Sequence, residues 1–133
     1  MAYIPYNKRI DASVSDMKGL TIEEIEGMES GSDHVTFNTV CGKKFHMWYE
    51  QDCCASCDIA DVAGDVSDLI GSPLLMSEEV SDASYEAMHK CEDYESCTWT
   101  FYKFATQKGY VTLRWFGSSN GYYSESTSFC RTK

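Results

Sequence analysis

The sequence lacks long apolar runs and is poor in proline. Two of its 133 residues are proline, and no apolar run approaches the roughly 18 residues that a membrane-spanning helix needs. Residues 1–15 also lack the charged start and apolar stretch of a secretory signal. These absences argue against a membrane protein and predict a cytoplasmic location.

Basic residues are scarce as well, with 11 Lys and Arg against 21 Asp and Glu, a formal net charge of −10. This balance argues against general binding to nucleic acid or to an anionic membrane, because both need a basic face. The charge is uneven, however. Residues 50–95 hold thirteen acids and one base, Lys90, whereas residues 97–133 hold five bases and one acid and ten of the eighteen aromatic residues.

The cysteines are seven in number. An odd count without a secretory signal argues against a disulfide framework. Cys54 and Cys57 form a Cys-x-x-Cys pair, with Cys53 beside them and His46 upstream, which is half of a zinc site. A matching second pair is absent from the sequence, so structural thiols are the alternative, and we predict no metal and no cofactor.

The patterning predicts an α+β fold that is mainly an antiparallel β-sheet with one or two short helices and a C-terminal three-stranded meander. Residues 1–16 form an N-terminal arm, and residues 17–133 form a single domain. The first predicted strand opens at residues 19–22, before a turn at residues 31–33. The later predicted strands cover, in chain order, residues 34–40, 45–49, 59–62, 98–106, 110–116 and 122–129. Asp65 is predicted to cap a short helix that ends before Gly71.

The first hairpin of the meander predicts a candidate site. If Lys108 and Gly109 are the two central turn residues, Tyr102, Phe104, Leu113 and Trp115 face the core. The opposite face then pairs Phe101 with Phe116 and Lys103 with Arg114. Like charges placed directly opposite are destabilising, which suggests that the two bases flank an anion such as a phosphate.

The predicted ligand-binding residues are six: Trp99, Phe101, Lys103, Arg114, Phe116 and Asn120. The aromatic rings would stack on a base, and Asn120 lies in a glycine-rich turn, residues 117–121, that could bring backbone N–H groups to an anion. Two plainer interpretations stay open. The two bases can pair with the protein's own surplus acids, and the glycine-rich segment can be an ordinary turn.

Five blocks of the sequence resemble a family of small phage-encoded domains of unknown function. The blocks are 45–54 (with QDCC), 59–65, 68–75 (DLIGSP), 98–106 (TWTFYKFAT) and 114–124 (RWFGSSNGYYS), and the resemblance covers about residues 17–129. Cys57 departs from the pattern, which has an apolar residue there, and this departure weakens the zinc interpretation.

The domain is also similar to the phage Thoeris anti-defence sponge proteins. That resemblance implies a protein that binds a cyclic ADP-ribose-like or cyclic oligonucleotide signal in the host cytoplasm without cleaving it, and that works as a homo-oligomer. It transfers no ligand residue to this chain, and it implies no enzyme. The alternative is an acidic interaction protein that inhibits a host or CRISPR-type defence factor by direct binding. An enzyme acting on nucleotides is a third possibility, for which the sequence offers no nucleophile or metal set.

Overall fold

The computed structural model describes residues 4–49, 55–80, 96–119 and 127–132. Within these ranges the chain forms nine strands and three short 3₁₀ turns. The strands are β1 (Ile10–Asp11), β2 (Ile22–Glu26), β3 (His34–Thr39), β4 (Lys44–Trp48), β5 (Ala55–Ala63), β6 (Met76–Val80), β7 (Ser96–Thr106), β8 (Gly109–Ser119) and β9 (Ser128–Thr132). The 3₁₀ turns are Tyr6–Lys8, Val14–Met17 and Val66–Leu69. No helix of the described ranges is long and apolar enough to cross a membrane.

Two antiparallel sheets contain all nine strands. The first sheet has the order β1-β9-β4-β3-β2, and the second has the order β5-β8-β7-β6. The prediction of a mainly antiparallel fold is therefore confirmed. The helical part of the α+β prediction is reduced, among the described residues, to 3₁₀ turns. The predicted helix after Asp65 is the turn Val66–Leu69, and the Asp65 carboxylate caps it by accepting the Ser67 N–H at 3.0 Å.

The core lies between the two sheets, because strict alternation directs one face of each strand inwards. On β3, for example, Val35 and Phe37 are buried while their neighbours are half-exposed. Contacts between the sheets include the Phe37 and Phe104 rings, whose centroids are 5.6 Å apart, and the Trp115 indole N–H, which donates to the Met47 sulfur at 3.2 Å. Each large apolar side chain buried here contributes about 1.5–3 kcal/mol.

The predicted meander differs from the structure at its third strand. The position beside β8 is occupied by β5, with pairs running from Ala55–Ser119 to Ala63–Thr112. Strand β9 begins at Ser128 and lies in the first sheet, between β1 and β4. Most of the predicted strand 122–129 lies outside the described residues. The residues assigned to an N-terminal arm contribute β1 to this same sheet, and Val14 joins the core.

The predicted hairpin register is wrong by two positions. The central turn residues are Gln107 and Lys108, so Thr106 pairs with Gly109. The turn is held by the 3₁₀ segment that packs against it. The Thr106 hydroxyl donates to the Asp68 carbonyl and accepts the Lys108 N–H at 3.1 Å, and the Lys108 ammonium donates to the Ile70 carbonyl at 2.6 Å.

Gly109 is the first residue of β8 and lies against the same 3₁₀ segment. A Cβ atom on Gly109 would lie 2.8 Å from an Asp68 carboxylate oxygen, so a larger residue there would displace the Asp68 side chain. A shift of two residues leaves every side chain on its predicted face. Tyr102, Phe104, Leu113 and Trp115 are accordingly all buried, as predicted.

Gly64, just beyond the end of β5, provides a test of the β5–β8 contact. Its φ is +109°, and an added Cβ would lie 2.3 Å from the Tyr110 carbonyl oxygen. We expect Gly64→Ala to lower the free energy of unfolding by about 3–4 kcal/mol, because both backbone strain and a steric clash arise. The measurement is equilibrium urea unfolding.

Gly31→Ala is the matched control for that substitution. Gly31 has φ +88° but no atom within 4 Å of an added Cβ, so it carries the backbone strain alone, about 1–2 kcal/mol. Equal losses in the two variants would contradict the close approach of β5 and β8.

Candidate functional site

The outer face of the second sheet carries five of the six residues predicted to bind a ligand. We call Trp99, Phe101, Lys103, Arg114 and Phe116 the outer platform. They share a face because they occupy alternate positions of two paired strands. All but Lys103 are half-buried, and Lys103 is exposed. The sixth residue, Asn120, and most of its glycine-rich turn lie outside the described residues.

An aromatic pair forms one end of the outer platform. Trp99 lies directly opposite Phe116, and their ring centroids are 4.7 Å apart with an interplanar angle of 55°. The Arg114 guanidinium lies 5.6 Å from the centre of the Trp99 ring, within the range of a cation–π contact. Three of the predicted residues therefore contact one another and present π faces and a planar cation together.

Arg114 is also bound by an acid from the neighbouring strand. Its Nε–H donates to Asp61 Oδ1 at 2.6 Å, and a terminal amino group donates to Asp61 Oδ2. A bulge between Ile59 and Asp61 brings that carboxylate opposite Arg114. The interpretation that the protein pairs a platform base with its own acid is thus correct for Arg114.

Lys103 has a different environment from the one predicted. The predicted direct pairing of Lys103 with Arg114 is wrong, since Lys103 faces Thr112 on β8 and Glu78 on β6. Arg114 faces Phe101, so the two bases are diagonal neighbours, and such neighbours are about 7–8 Å apart. The like-charge repulsion that suggested an anion between them is correspondingly weaker.

Two acids complete the outer platform on its β5 side, and sequence reasoning did not find them. Asp61 pairs with Arg114, and Asp58 lies opposite Phe116. Burial, with a smaller contribution from Asp33, raises the pKa of Asp58. In the sequence these two residues are simply part of the acidic stretch 50–95. The bulge that brings both onto one sheet face has no local signal, because it depends on pairing with a strand some fifty residues away.

The suggested zinc site is not assembled by the described residues. Cys57 is buried in the core between the sheets, whereas His46 lies on the outer face of the first sheet, opposite Cys130. Cys53 and Cys54 lie outside the described residues. Among those that are described, no three His, Cys, Asp or Glu side chains are grouped as metal ligands.

His46 instead belongs to a hydrogen-bonded chain across the first sheet. His34 Nε2 and His46 Nδ1 are 3.4 Å apart, and His46 Nε2 is 3.1 Å from the Thr132 hydroxyl. Burial, His34 and Lys44 together lower the pKa of His46 to about 4. The His46 imidazole is therefore neutral at pH 7, and the hydrogen bond between the two rings requires at least one neutral ring.

Comparison with known proteins identifies the family. A model described as Domain of unknown function (DUF7448) matches residues 14–129. The chain belongs to the DUF7448 family. Nothing among curated proteins or solved structures matches it. The DUF7448 family has no assigned activity.

The Arg114–Asp61 pair can be tested by a double-mutant cycle with Arg114→Gln and Asp61→Asn. The two side chains are 30% and 44% exposed, so solvent screens their attraction. We expect a coupling of about 0.5–1 kcal/mol in urea unfolding, which shrinks in 1 M salt. A coupling of zero at low salt would contradict the pairing.

His46 makes stability depend on pH in a defined direction. Its folded-state pKa, about 4, lies below the ordinary value of 6.5, so the unfolded chain binds a proton first as the pH falls. Stability should be nearly constant above pH 7 and should decrease from there to pH 4. The shift alone corresponds to roughly 3 kcal/mol, and solvent screening on the outer face of the sheet reduces the expected loss to about 2 kcal/mol.

The control for this loss is His46→Gln, which keeps a hydrogen-bonding side chain but does not titrate. Carboxylates titrate in both proteins, so the difference between the two pH profiles of unfolding free energy isolates His46. Parallel profiles between pH 7 and pH 4 would contradict the lowered pKa.

Proposed function

We propose that the chain is a phage-type anti-defence protein that binds and sequesters a nucleotide-derived immune signal without cleaving it. The ligand class is a cyclic ADP-ribose-like molecule or a cyclic oligonucleotide. The observation that carries the proposal is the contact between Trp99, Phe116 and Arg114 on one sheet face. The resemblance to anti-defence sponge proteins supports it as well.

The aromatic end of the outer platform suits a nucleobase. Stacking of a nucleobase on a protein aromatic ring contributes roughly 1–3 kcal/mol of binding free energy, and it does so for every type of base. The Arg114 guanidinium is planar and is held by Asp61, so it can stack on a flat ligand with little loss of conformational entropy. In this proposal Arg114 acts as part of the stacking surface, because Asp61 already neutralises its charge.

Lys103 is then the residue that meets a phosphate. It is exposed and lies in the row next to Phe101 and Arg114, so a ligand stacked on the rings would place its phosphates towards it. Glu78 is its cross-strand neighbour, and the proposal requires the ligand to compete with that acid. Asn120 would contact phosphate or ribose.

A homo-oligomer in the host-cell cytoplasm is part of the same proposal. A pocket formed by two platforms facing each other would enclose a ligand on both sides, which one sheet face does not. Two stacking surfaces would also raise affinity without adding residues to a short chain.

A second candidate function is favoured by the acids on the sheet edges. β2 is an edge strand with Glu23, Glu24 and Glu26. A hydrogen bond with Glu26, together with repulsion from Glu26 and Glu23, raises the pKa of Glu24. Among the described strands, β6 is likewise an edge, with Glu78 and Glu79. Exposed acidic edges suit an interaction protein that inhibits a host or CRISPR-type defence factor through a basic surface.

The test is ligand depletion and recovery. The protein is incubated with cyclic ADP-ribose isomers and cyclic dinucleotides, the filtrate is assayed, and the protein is then heated to release what it bound. We expect depletion of one of these nucleotides and its recovery intact. Recovery of an altered nucleotide would identify an enzyme and overturn the proposal. Depletion of none of them would also overturn it and would favour the acidic interaction protein.

Substitutions of platform residues test whether the nucleotide binds at the outer platform. Trp99→Ala should weaken affinity by about 5- to 150-fold, which corresponds to the loss of one stacking contact. Lys103→Gln should weaken it too, and this exposed side chain can be changed without disturbing the core. Lys18→Gln is the matched control, since it removes one exposed positive charge elsewhere. An equal effect of Lys18→Gln and Lys103→Gln would place the binding outside the platform.

A further inference from the structure

Two histidines on the outer face of the first sheet have no part in the proposed function. His34 of β3 and His46 of β4 are diagonal neighbours across the two paired strands. His34 Nε2 and His46 Nδ1 are 3.4 Å apart, and the ring planes are nearly perpendicular, at 81°. A hydrogen bond between the rings accounts for this contact, and the same separation also suits a metal ion.

The distance between the two nitrogens is the one that a shared ion requires. Zinc binds imidazole nitrogen at about 2.0–2.1 Å with tetrahedral geometry, so two nitrogens on one ion lie roughly 3.3–3.4 Å apart. An ion can therefore take the place of the proton that the rings share, once each ring turns its lone pair towards it. The other coordination positions stay open to water or to an external ligand.

Thr132 provides the hydrogen bond that a metal-binding histidine needs on its second nitrogen. His46 Nε2 is 3.1 Å from the Thr132 hydroxyl. A ring that donates this hydrogen bond from Nε2 keeps its lone pair on Nδ1, which faces His34. Metal-binding histidines almost always have such a partner, and it fixes both the tautomer and the orientation of the ring.

Both rings are open to a metal ion at neutral pH. The pKa of His46 is about 4, and burial lowers the pKa of His34 below its usual 6.5, so an ion at pH 7 does not have to displace an extra proton. His34 is half-exposed, which gives solvent access to the pair, whereas His46 is 9% exposed. Lys44, two residues before His46 on the same face, repels a cation and opposes binding.

We propose that His34 and His46 form a two-histidine site for a divalent transition-metal ion, with Thr132 as a positioning residue. Imidazole suits Zn²⁺, Ni²⁺ and Cu²⁺. Mg²⁺ and Ca²⁺ prefer oxygen ligands, so the site discriminates against them. The site lies on the first sheet and is independent of the outer platform.

The experiment titrates the intact protein with Zn²⁺ and follows the ring ¹⁵N signals of the histidines by NMR. We expect saturable shifts of His34 Nε2 and His46 Nδ1 that EDTA reverses, and no shift of either with Mg²⁺. Ring signals separate this site from zinc bound by cysteine or carboxylate side chains elsewhere in the chain. Absence of shifts in the two rings, or equal shifts with Mg²⁺, would overturn the proposal.

Substitution of the half-exposed histidine tests whether the two rings act together. His34→Gln should weaken Zn²⁺ binding at the His46 ring by at least about tenfold, because one of two protein ligands is lost. Cys41→Ser is the control, since it removes an exposed thiol outside the site, and it should leave the ring response unchanged. Unchanged affinity in His34→Gln, or an equal loss in Cys41→Ser, is incompatible with a two-histidine site.

Two neighbouring residues test the geometry and the charge of the site. Thr132→Val should weaken Zn²⁺ binding by about ten- to one-hundredfold, whereas Thr132→Ser, which keeps the hydroxyl, should retain it. Lys44→Gln should tighten binding by about two- to fivefold, because a like charge is removed. Equal losses in Thr132→Val and Thr132→Ser would contradict the positioning role, and weaker binding in Lys44→Gln would contradict a cation at this place.

Discussion

The pairing of β7 with β8 is the interaction on which the rest of the structure depends. Eleven residue pairs join the two strands, from Ser96–Ser119 to Thr106–Gly109. β6 and β5 add to its two sides, and its inner face contributes Tyr102, Phe104, Leu113 and Trp115 to the core. Its outer face holds the platform residues. One backbone ladder thus supports the core on one side and the candidate site on the other.

Local periodicity accounts for most of what the sequence predicts correctly. The hairpin of β3 and β4 and the strand pattern around Phe101 depend on alternation and on nearby turn residues, which a single sequence shows. The non-local pairings do not have such a signal. β9 joins β4 in the first sheet, and β5 takes the place beside β8, because packing against distant strands decides both. The turn at Gln107 and Lys108 is another example, since Asp68 and Ile70 hold it from a distant segment.

In the candidate site, too, local features can be predicted from the sequence and non-local contacts cannot. The faces of Trp99, Phe101, Lys103, Arg114 and Phe116 are predictable, because a two-residue register shift preserves parity. Their partners are not, since Asp61 reaches Arg114 only through the bulge on β5. The pairing of Asp61 with Arg114 changes what the site can bind. A surface that looked like two bases around an anion is an aromatic pair beside a neutralised guanidinium, with Lys103 as the exposed cation.

The outer platform depends on the register of β7 and β8, and interstrand nuclear Overhauser effects measure this register most directly. In a ¹³C,¹⁵N-labelled sample, backbone contacts should join Phe101 with Arg114, Lys103 with Thr112, and Trp99 with Phe116. Backbone contacts that join Phe101 with Phe116 and Lys103 with Arg114 would contradict this account. They would restore two like charges directly opposite each other and would separate Trp99 from Phe116.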